Sequence, residues 1–288
     1  MQTLTFLLPV YNDWKSLQKL LIGIDSQLIK LNKSGNILII DDNSTVKQQF
    51  NIKKFKKIQR IEILKLKINL GSQKAIAIGL NFLKLKKTKT IVTILDSDGE
   101  DDYTKIPTMV KMVYKLHNKI IVSCRTKRNE GILFNFLYSI HKIILFIFSG
   151  MWINFGNFSS FNSKNIRSIM SNDSSWFALS SCIARNCKVY KTFAERKKRF
   201  FGKSKLSLPD LFFHSVRVNL VFRRKIMFLS LIYILLAFFL IKNFLISTII
   251  IFTIIIFNLT LIVAYIKVKP KDFLIKENFI KKINYTLK

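Results

Sequence analysis

Short apolar runs alternate with amphipathic segments over the N-terminal two thirds of the chain. Runs rich in β-branched residues predict strands at Thr3–Leu8, Asn36–Ile40, Arg60–Leu66, Thr90–Leu95 and Lys119–Ser123. Helical periodicity predicts helices at Asp13–Leu31, Gly71–Leu85 and Thr104–Leu116, with a weaker basic helix at Val46–Ile58. This alternation predicts an α/β fold, Rossmann-like, in which helices cover both faces of a mostly parallel sheet.

The pattern changes near the C-terminus, where apolar residues become continuous. From Ile226 to Ile266 the only charged residue is Lys242, and Asn243–Ile266 is an uncharged run of 24 residues. As a helix this run would be about 36 Å long, enough to cross a hydrocarbon core of about 30 Å. We therefore predict a two-helix transmembrane hairpin, with helices at about 226–242 and 244–266.

Basic residues flank the predicted hairpin on both sides, at 223–225 before it and at Lys267, Lys269 and Lys271 after it. Because basic loops stay in the cytoplasm, we predict a multi-pass protein of the inner or plasma membrane whose N-terminal region is cytoplasmic. The first residues lack the basic segment and cleavage site of a signal peptide, so we expect none.

These patterns divide the chain into four predicted units. They are a globular domain (1–205), an amphipathic juxtamembrane segment (206–225), the transmembrane hairpin (226–267) and a basic cytoplasmic tail (268–288). Within the first unit, Gly131–Phe148 is apolar and amphipathic, which fits either a core helix or a helix lying on the bilayer surface.

The chain carries 48 basic and 16 acidic residues, a net charge of +32. The basic residues are scattered and accompany a general excess of Ile, Asn and Phe, so we expect no nucleic-acid partner. At a membrane, such charge favours anionic lipids and phosphorylated substrates. The three cysteines lack CxxC spacing, which argues against a disulfide framework and a zinc site.

Five of the sixteen acidic residues lie within Asp96–Asp102, directly after a predicted buried strand. Open α/β sheets bind ligands at this carboxyl edge. Carboxylates this close either raise one another's pKa or share a cation. Asp96, Asp98 and Glu100 are spaced two residues apart, and their oxygens suit Mg²⁺ or Mn²⁺, ions that also bind phosphates. We predict a divalent metal site here.

Other polar residues follow the same edge of the predicted sheet. Asp13 follows the first strand, and Asp41 and Asp42 end the second, where each is either a helix cap or a hydrogen-bond acceptor for a nucleoside. Gly71 and Lys74 begin a helix whose free N–H groups are suited to phosphate. No one of these motifs is specific alone.

Together, the motifs resemble those of the family 2 glycosyltransferases, which have the GT-A fold. The segments that carry the resemblance are PVYND (9–13), IDDNS (40–44), NLGSQKAIAIGL (69–80), DSDGE (96–100), SCR (123–125), GNF (156–158) and RKKRFFGKSKL (196–206). The last segment and the C-terminal hairpin are similar to those of the polyisoprenyl-phosphate glycosyltransferase branch.

The resemblance implies a role for each matching residue. The nucleotide sugar, UDP- or GDP-linked, is expected to bind Pro9, Tyr11, Asp13, Asp41, Asp42, Gly71, Lys74 and Asp96. The metal, Mg²⁺ or Mn²⁺, is expected on Asp96, Asp98 and Glu100. The acceptor phosphate is expected to bind Arg125, which matches the family position, with Arg128 or Lys127 assisting although neither matches a family arginine. Arg199 and Lys205 suit either this lipid phosphate or the donor diphosphate. The catalytic residues are expected to be Asp96, Asp98, Arg125 and Asn157.

One residue departs from the family pattern. Asn157 stands where the family's GDF motif has an aspartate proposed as a general base, and an amide accepts no proton at neutral pH. A phosphate monoester has a second pKa of about 6, so it needs no base to become a nucleophile. The substitution fits a lipid-phosphate acceptor, and equally a weakened enzyme or another base such as Asp173.

The expected function is a membrane-anchored, inverting glycosyltransferase. It would move a sugar from a nucleotide-diphosphate sugar to a polyisoprenyl phosphate on the cytoplasmic face. The alternatives are transfer to a hydroxyl of a lipid-linked or cell-surface glycan, and a membrane scaffold without activity. Whether the chain forms a homo-oligomer is left open.

Overall fold

The structure is a computed structural model of the chain. It describes residues 3–48, 55–87, 89–125, 132–171, 173–202, 208–268 and 280–286. These residues belong to two units, each described by itself. The first comprises 1–128, 154–205 and 270–288, and the second comprises 129–153 and 206–269.

A sheet of eight strands forms the centre of the first unit in the described part of the chain. The strands are β1 (Thr3–Val10), β2 (Gly35–Asp41), β3 (Ile58–Leu66), β4 (Thr90–Ile94), β5 (Ile120–Arg125), β6 (Phe155–Asn162), β7 (Val189–Ala194) and β8 (Ile280–Thr286). Their order is β7-β5-β6-β4-β1-β2-β3-β8. Strands β4, β1, β2 and β3 are mutually parallel, as are β5 and β7, which confirms the predicted α/β fold. Central strands such as β1 and β4 are buried throughout or nearly so, as expected when helices cover both faces.

Strand β6 interrupts the parallel arrangement, because it lies antiparallel between β4 and β5. Neither β6 nor β7 was predicted. The sequence of β6, FGNFSSFN, contains the polar residues Ser159 and Ser160, which are buried. Because these residues interrupt the apolar pattern, the sequence does not indicate a buried strand here. The hydroxyls of Ser160 and Thr93 are 2.9 Å apart, which satisfies both side chains in the interior.

Helices pack on this sheet through apolar faces. They are α1 (Trp14–Lys30), α2 (Ser72–Lys86), α3 (Ile106–Lys115), α5 (Ile166–Ile169) and α6 (Leu179–Asn186). In α1 the fully buried Leu17, Leu20, Leu21, Ile24 and Leu28 recur at helical spacing and join the core cluster with β1 and β2.

The helix predicted at Val46–Ile58 is wrong for the described residues. Residues 46–48 and 55–57 are not helical, and Ile58 begins β3. The buried carboxylate of Asp25 accepts hydrogen bonds from the backbone N–H groups of Lys56, Lys57 and Ile58 at 2.8–3.0 Å. These donors therefore have a tertiary partner, which helical periodicity in the sequence does not reveal.

The second unit is helical. It contains α4 (Ile132–Ser149), α7 (Leu208–Leu220), α8 (Arg223–Leu240) and α9 (Phe244–Val268). Helices α8 and α9 form a hairpin in which the Ser247 hydroxyl donates to the carbonyl of Ala237 at 2.9 Å. The buried residues of α9 are Ser247, Ile254 and Leu261, seven apart, so one face meets its neighbours.

Helix α9 is the one helix among the described residues that is long and apolar enough to cross a membrane. Helix α8 begins with the three basic residues 223–225 and is shorter, with 18 residues. The hairpin itself is therefore present, whereas a second crossing by α8 stays a prediction.

Two segments belong to units other than those expected. Helix α4 lies within the predicted domain 1–205 but belongs to the helical unit, where the Tyr233 hydroxyl donates to the carbonyl of Ile147 at 2.8 Å. Part of the predicted tail forms β8, which pairs antiparallel with β3. An edge strand presents unpaired N–H and C=O groups, and β8 satisfies those of β3.

Candidate active site

The acidic residues form a turn directly after β4, which we call the acidic turn (96–102). The turn is held by its own side chains: Asp101 accepts from the backbone N–H of Asp96 at 3.1 Å, and Asp98 from that of Glu100 at 3.0 Å. Gly99 has a φ of +84°, and a Cβ there would lie 2.4 Å from the ring of Phe200. Only glycine fits both this conformation and this contact.

A basic segment (196–202) lies against the acidic turn. Its backbone is fixed by two hydrogen bonds, from the N–H of Lys197 to the carbonyl of Glu100 and from the N–H of Phe200 to that of Asp98, each 2.9 Å long. The two segments are a hundred residues apart in sequence and meet because β7, which precedes the basic segment, lies in the same sheet as β4.

Arginine side chains of the basic segment pair with the carboxylates of the turn. Arg196 is ion-paired with Glu100. Arg199 joins two carboxylates, contacting Asp13 at the start of α1 and Asp98, whose Oδ2 lies 3.3 Å from its Nη1. Arg199 was expected to suit either a lipid phosphate or the donor diphosphate, and here it contacts Asp13 and Asp98, which were expected at the nucleotide sugar and the metal.

Burial raises the pKa of Asp98, and the neighbouring Glu100 and Asp101 raise it further. The hydrogen bond from the backbone N–H of Glu100 and the charge of Arg199 act in the opposite direction. The pKa of Asp98 is raised overall, with burial as the largest cause, even though Arg199 lies beside it. A cation at this turn would be stabilised.

The carboxylate oxygens of the acidic turn are suitable ligands for a divalent cation, although the side chains of Asp96, Asp98 and Glu100 do not point to one common position. No group of three Asp, Glu, His or Cys side chains within the described residues could hold a metal ion. Asp96 is turned toward Asn157, while Asp98 and Glu100 are turned toward arginines. Mg²⁺ needs only one or two carboxylates together with substrate phosphates and water, so Asp98 and Glu100 fit that arrangement.

Asp41 and Asp42 are both buried and accept hydrogen bonds from the backbone. Asp41 accepts from the N–H of Ser44 at 2.8 Å, and Asp42 accepts from the N–H groups of Leu70 and Gly71 at 2.7 Å each. Burial raises the pKa of Asp42, and these two backbone bonds lower it. The two carboxylates therefore hold the loop after β2 and the loop before α2, where Gly71 adopts a φ of +85°.

Asn12, which the sequence did not single out, ties the end of β1 to the loop after β2. Its N–H donates to the hydroxyl of Ser44 at 2.9 Å, and its Oδ1 accepts from the N–H groups of Thr45 and Val46. The neighbouring Pro9 is buried within β1, and Tyr11 is exposed. Asn12 has a left-handed φ of 51°, a conformation that Asn adopts more readily than most residues.

A second polar group lies where α2 begins. Asn157 on β6 is between Gln73 and Asp96: its Oδ1 accepts from Gln73 Nε2, and its Nδ2 donates to Asp96 Oδ1, each at 3.0 Å. Lys74, expected to meet phosphate, has its Nζ 5.3 Å from the centre of the Trp176 ring. Gln73 was missed because it occupies a variable position of the matching motif.

The expected acceptor residues lie mostly outside the described part of the chain. Arg125 ends β5 opposite Ala194, but its side chain is not described, and Arg128 and Lys205 fall outside the described residues. Asp173 begins a short 3-10 turn, and its side chain is likewise not described. The grouping of these residues around an acceptor phosphate stays a prediction.

The sequence profile of glycosyl transferase family 2 matches residues 5–225, which is more than half of the chain. The chain belongs to glycosyl transferase family 2. The expectation raised by the motifs is thereby confirmed for the family, and the acidic turn and α2 lie within the matched region.

One curated relative is the dodecaprenyl-phosphate galacturonate synthase of Rhizobium johnstonii. It is 21% identical over 131 residues, which cover 45% of this chain and 38% of that protein. The match thus spans well under half the length of that relative.

Solved structures of GT-A glycosyltransferases share the fold. Glucosyl-3-phosphoglycerate synthase from Mycobacterium tuberculosis, in complex with Mn²⁺, UDP and phosphoglyceric acid, has a TM-score of 0.55 at 11% identity, covering 78% of each chain. TarS from S. aureus with UDP-GlcNAc has a TM-score of 0.51 at 16% identity, covering 93% of this chain and 82% of that one.

Proposed function

We propose that this family 2 glycosyltransferase moves a sugar from a nucleoside-diphosphate sugar to the phosphate of a polyisoprenyl lipid. It does so at the cytoplasmic face of a membrane and inverts the anomeric carbon. The relative from Rhizobium johnstonii supports this acceptor class, and the solved neighbours that contain UDP or UDP-GlcNAc support the donor class.

The observation that carries the proposal is the amide at position 157. Both of its polar ends are occupied, one by Gln73 and the other by Asp96. A hydroxyl acceptor needs a base to remove its proton, and an amide cannot serve. A phosphate monoester is already largely anionic at neutral pH, so this arrangement is compatible with a phosphate nucleophile.

The reaction then requires no proton transfer. An anionic oxygen of the lipid phosphate attacks the anomeric carbon from the side opposite the leaving group. The bond from that carbon to the β-phosphate oxygen breaks, and its electron pair leaves with the nucleoside diphosphate. The product is a sugar joined to the lipid phosphate with inverted configuration.

The chain's own cations offset the charge that develops on the leaving diphosphate. Arg196 and Arg199 lie at the acidic turn, and a diphosphate there competes with Asp98 for the guanidinium of Arg199. Asp98 and Glu100 are the residues that would hold Mg²⁺ or Mn²⁺, which when bound would supply further positive charge for the phosphates.

Membrane attachment is part of the same proposal. Helix α9 supplies a candidate crossing, and the exposed side chains of α8 and α9 are largely apolar, among them Phe239 and Phe244. Such surfaces are stabilised in lipid rather than in water. The basic residues 223–225 and Lys267 flank the hairpin on one side, which favours a cytoplasmic location for both ends.

The test is product analysis with the purified full-length protein in lipid nanodiscs. A panel of UDP- and GDP-sugars is offered with Mg²⁺ and a short polyprenyl phosphate, and lipids are analysed by mass spectrometry. The matched control acceptor is the polyprenol of the same length, which lacks only the phosphate. We expect one sugar to be added to the phosphate and none to the alcohol; transfer to hydroxyl acceptors alone would contradict the proposal.

A further inference from the structure

A chain of amide hydrogen bonds connects the start of α6 to the acidic turn. The N–H of Leu179 donates to Gln73 Oε1 at 2.8 Å, Gln73 Nε2 donates to Asn157 Oδ1 at 3.0 Å, and Asn157 Nδ2 donates to Asp96 Oδ1 at 3.0 Å. We call these three side chains and the Leu179 N–H the amide relay. Its members come from four separate segments, so only the folded chain assembles it.

The direction of the relay is fixed chemically at both ends. A backbone N–H can only donate, so Gln73 must present its oxygen to Leu179 and its NH₂ group to Asn157. Asn157 must then present its oxygen to Gln73 and its NH₂ group to Asp96. The ionised carboxylate of Asp96 can only accept, so the last bond agrees with the first.

Burial makes this order matter. Gln73 is buried, at 9% exposure, and Asn157 and Asp96 are partly buried. In such surroundings hydrogen bonds in series strengthen one another, and a reversed amide would leave two oxygens facing each other. A bond from an amide to a charged carboxylate is also stronger than one between neutral groups.

We infer that Gln73 and Asn157 are positioning residues that orient the carboxylate of Asp96 for the donor sugar. The inference rests on the proposed function, because it gives Asp96 a role in donor binding. Asn157 therefore serves as a hydrogen-bond donor to Asp96 where an aspartate would bring a second carboxylate to about 3 Å, and Gln73 fixes which way that amide points.

Gln73 provides the sharper test because it does not contact Asp96 in the relay. In Gln73→Glu the oxygen that accepts from Leu179 is kept, but the donor toward Asn157 becomes an acceptor. The Asn157 amide must turn over, which places its oxygen against Asp96. We expect nucleotide-sugar affinity to fall about ten- to hundredfold, the range for losing a hydrogen bond to a charged group.

The experiment is a double-mutant cycle on the full-length protein, read by calorimetric binding of the UDP- or GDP-sugar that the wild type binds most tightly. In an Asn157→Ala background no side-chain amide links residue 73 to Asp96. Gln73→Glu should then change the affinity for the nucleotide sugar by less than about threefold. The cycle also subtracts the general effect of the added negative charge. Equal losses in both backgrounds would overturn the relay.

Asn157→Asp is the second variant, and it should weaken donor binding about tenfold or more. Asn162→Asp is its matched control, since it adds the same charge on the same strand at a cap that aspartate fills equally well. We expect that control to bind the donor like the wild type. A donor affinity equal to that of the wild type in Asn157→Asp would refute the inference. If Asn157→Asp does not fold, Asn157→Ala is measured in its place.

A positioning role for Gln73 and Asn157 predicts different effects on the binding of the donor and of the acceptor. The Gln73→Glu and Asn157→Ala variants should keep the acceptor KM within about twofold while donor affinity falls, whereas general damage to the fold would change both. If the wild type binds no nucleotide sugar, the proposed function fails and takes the inference with it. If the wild type binds but the cycle is additive, the inference alone fails.

Discussion

Loss of the Arg199 side chain should destabilise the first unit. Its guanidinium contacts Asp13 and Asp98, and its Nε donates to the carbonyl of Phe201 at 3.1 Å. The side chains of Arg199, Asp13 and Asp98 are 21%, 16% and 18% exposed, so Arg199→Ala would leave two mostly buried carboxylates without their cation.

The expected size of the effect follows from that burial. Removing one partner of a buried ion pair costs about 3–5 kcal/mol. Because water still reaches about a fifth of each side chain and screens its charge, we expect a loss nearer 2–3 kcal/mol in the free energy of unfolding. For a domain of this size that corresponds to a fall in Tm of about 4–12 °C.

The loss should depend on pH. Burial already raises the pKa of Asp98 above its unfolded value of 3.8. The stability that protonated Asp98 contributes is therefore fully present below the unfolded pKa and is lost as pH rises through the folded pKa. Arg199 lowers the pKa of Asp98 in the folded protein. Arg199→Ala therefore raises that pKa and makes the fall in the free energy of unfolding with rising pH larger. The difference in Tm between wild type and Arg199→Ala should be small near about pH 4 and largest near about pH 7.

The assay is thermal unfolding of the full-length protein in detergent and EDTA, followed by tryptophan fluorescence at both pH values. The control is Arg167→Ala, which removes an exposed arginine of α5 and should change Tm by less than about 2 °C. Arg199→Lys should give an intermediate loss, because one ammonium cannot reproduce the planar fork that reaches two carboxylates. A Tm for Arg199→Ala equal to that of the control, at both pH values, would refute this reasoning.

Three further predictions follow from the proposed function. EDTA should abolish turnover and Mg²⁺ or Mn²⁺ restore it, while Asp98→Asn should be inactive even with metal; full turnover in that variant would remove the metal from the proposal. Arg125→Ala should raise the KM for polyprenyl phosphate about thirtyfold or more, with donor affinity unchanged in calorimetry, and equal effects on both substrates would argue against an acceptor role. A cysteine placed at Asn243 should react with a membrane-impermeant thiol reagent from the outside of intact cells, and reaction only after permeabilisation would rule out the hairpin topology.

The sequence by itself determined the parts of this protein that depend on local patterns. Strands such as β1 and β4 are short runs of apolar and β-branched residues, and α1 repeats its apolar residues at helical spacing, so each could be predicted without knowing its neighbours. The acidic turn was found in the same way, because carboxylates that follow a buried strand must lie at the carboxyl edge of the sheet. The length of the uncharged run in α9 was enough to predict a helix that could cross a membrane.

The tertiary structure decided whatever depends on partners distant in sequence. The segment around Lys56 has helical periodicity, yet the distant Asp25 takes its backbone donors and leaves it non-helical. Strand β6 carries buried serines that are stable only because side chains such as Thr93 on β4 satisfy them. The role of Asn157 was open for the same reason. The identity of the residue does not determine whether the oxygen or the NH₂ group of its amide faces a carboxylate. Here the backbone N–H of Leu179 fixes the orientation of Gln73, and Gln73 in turn fixes that of Asn157.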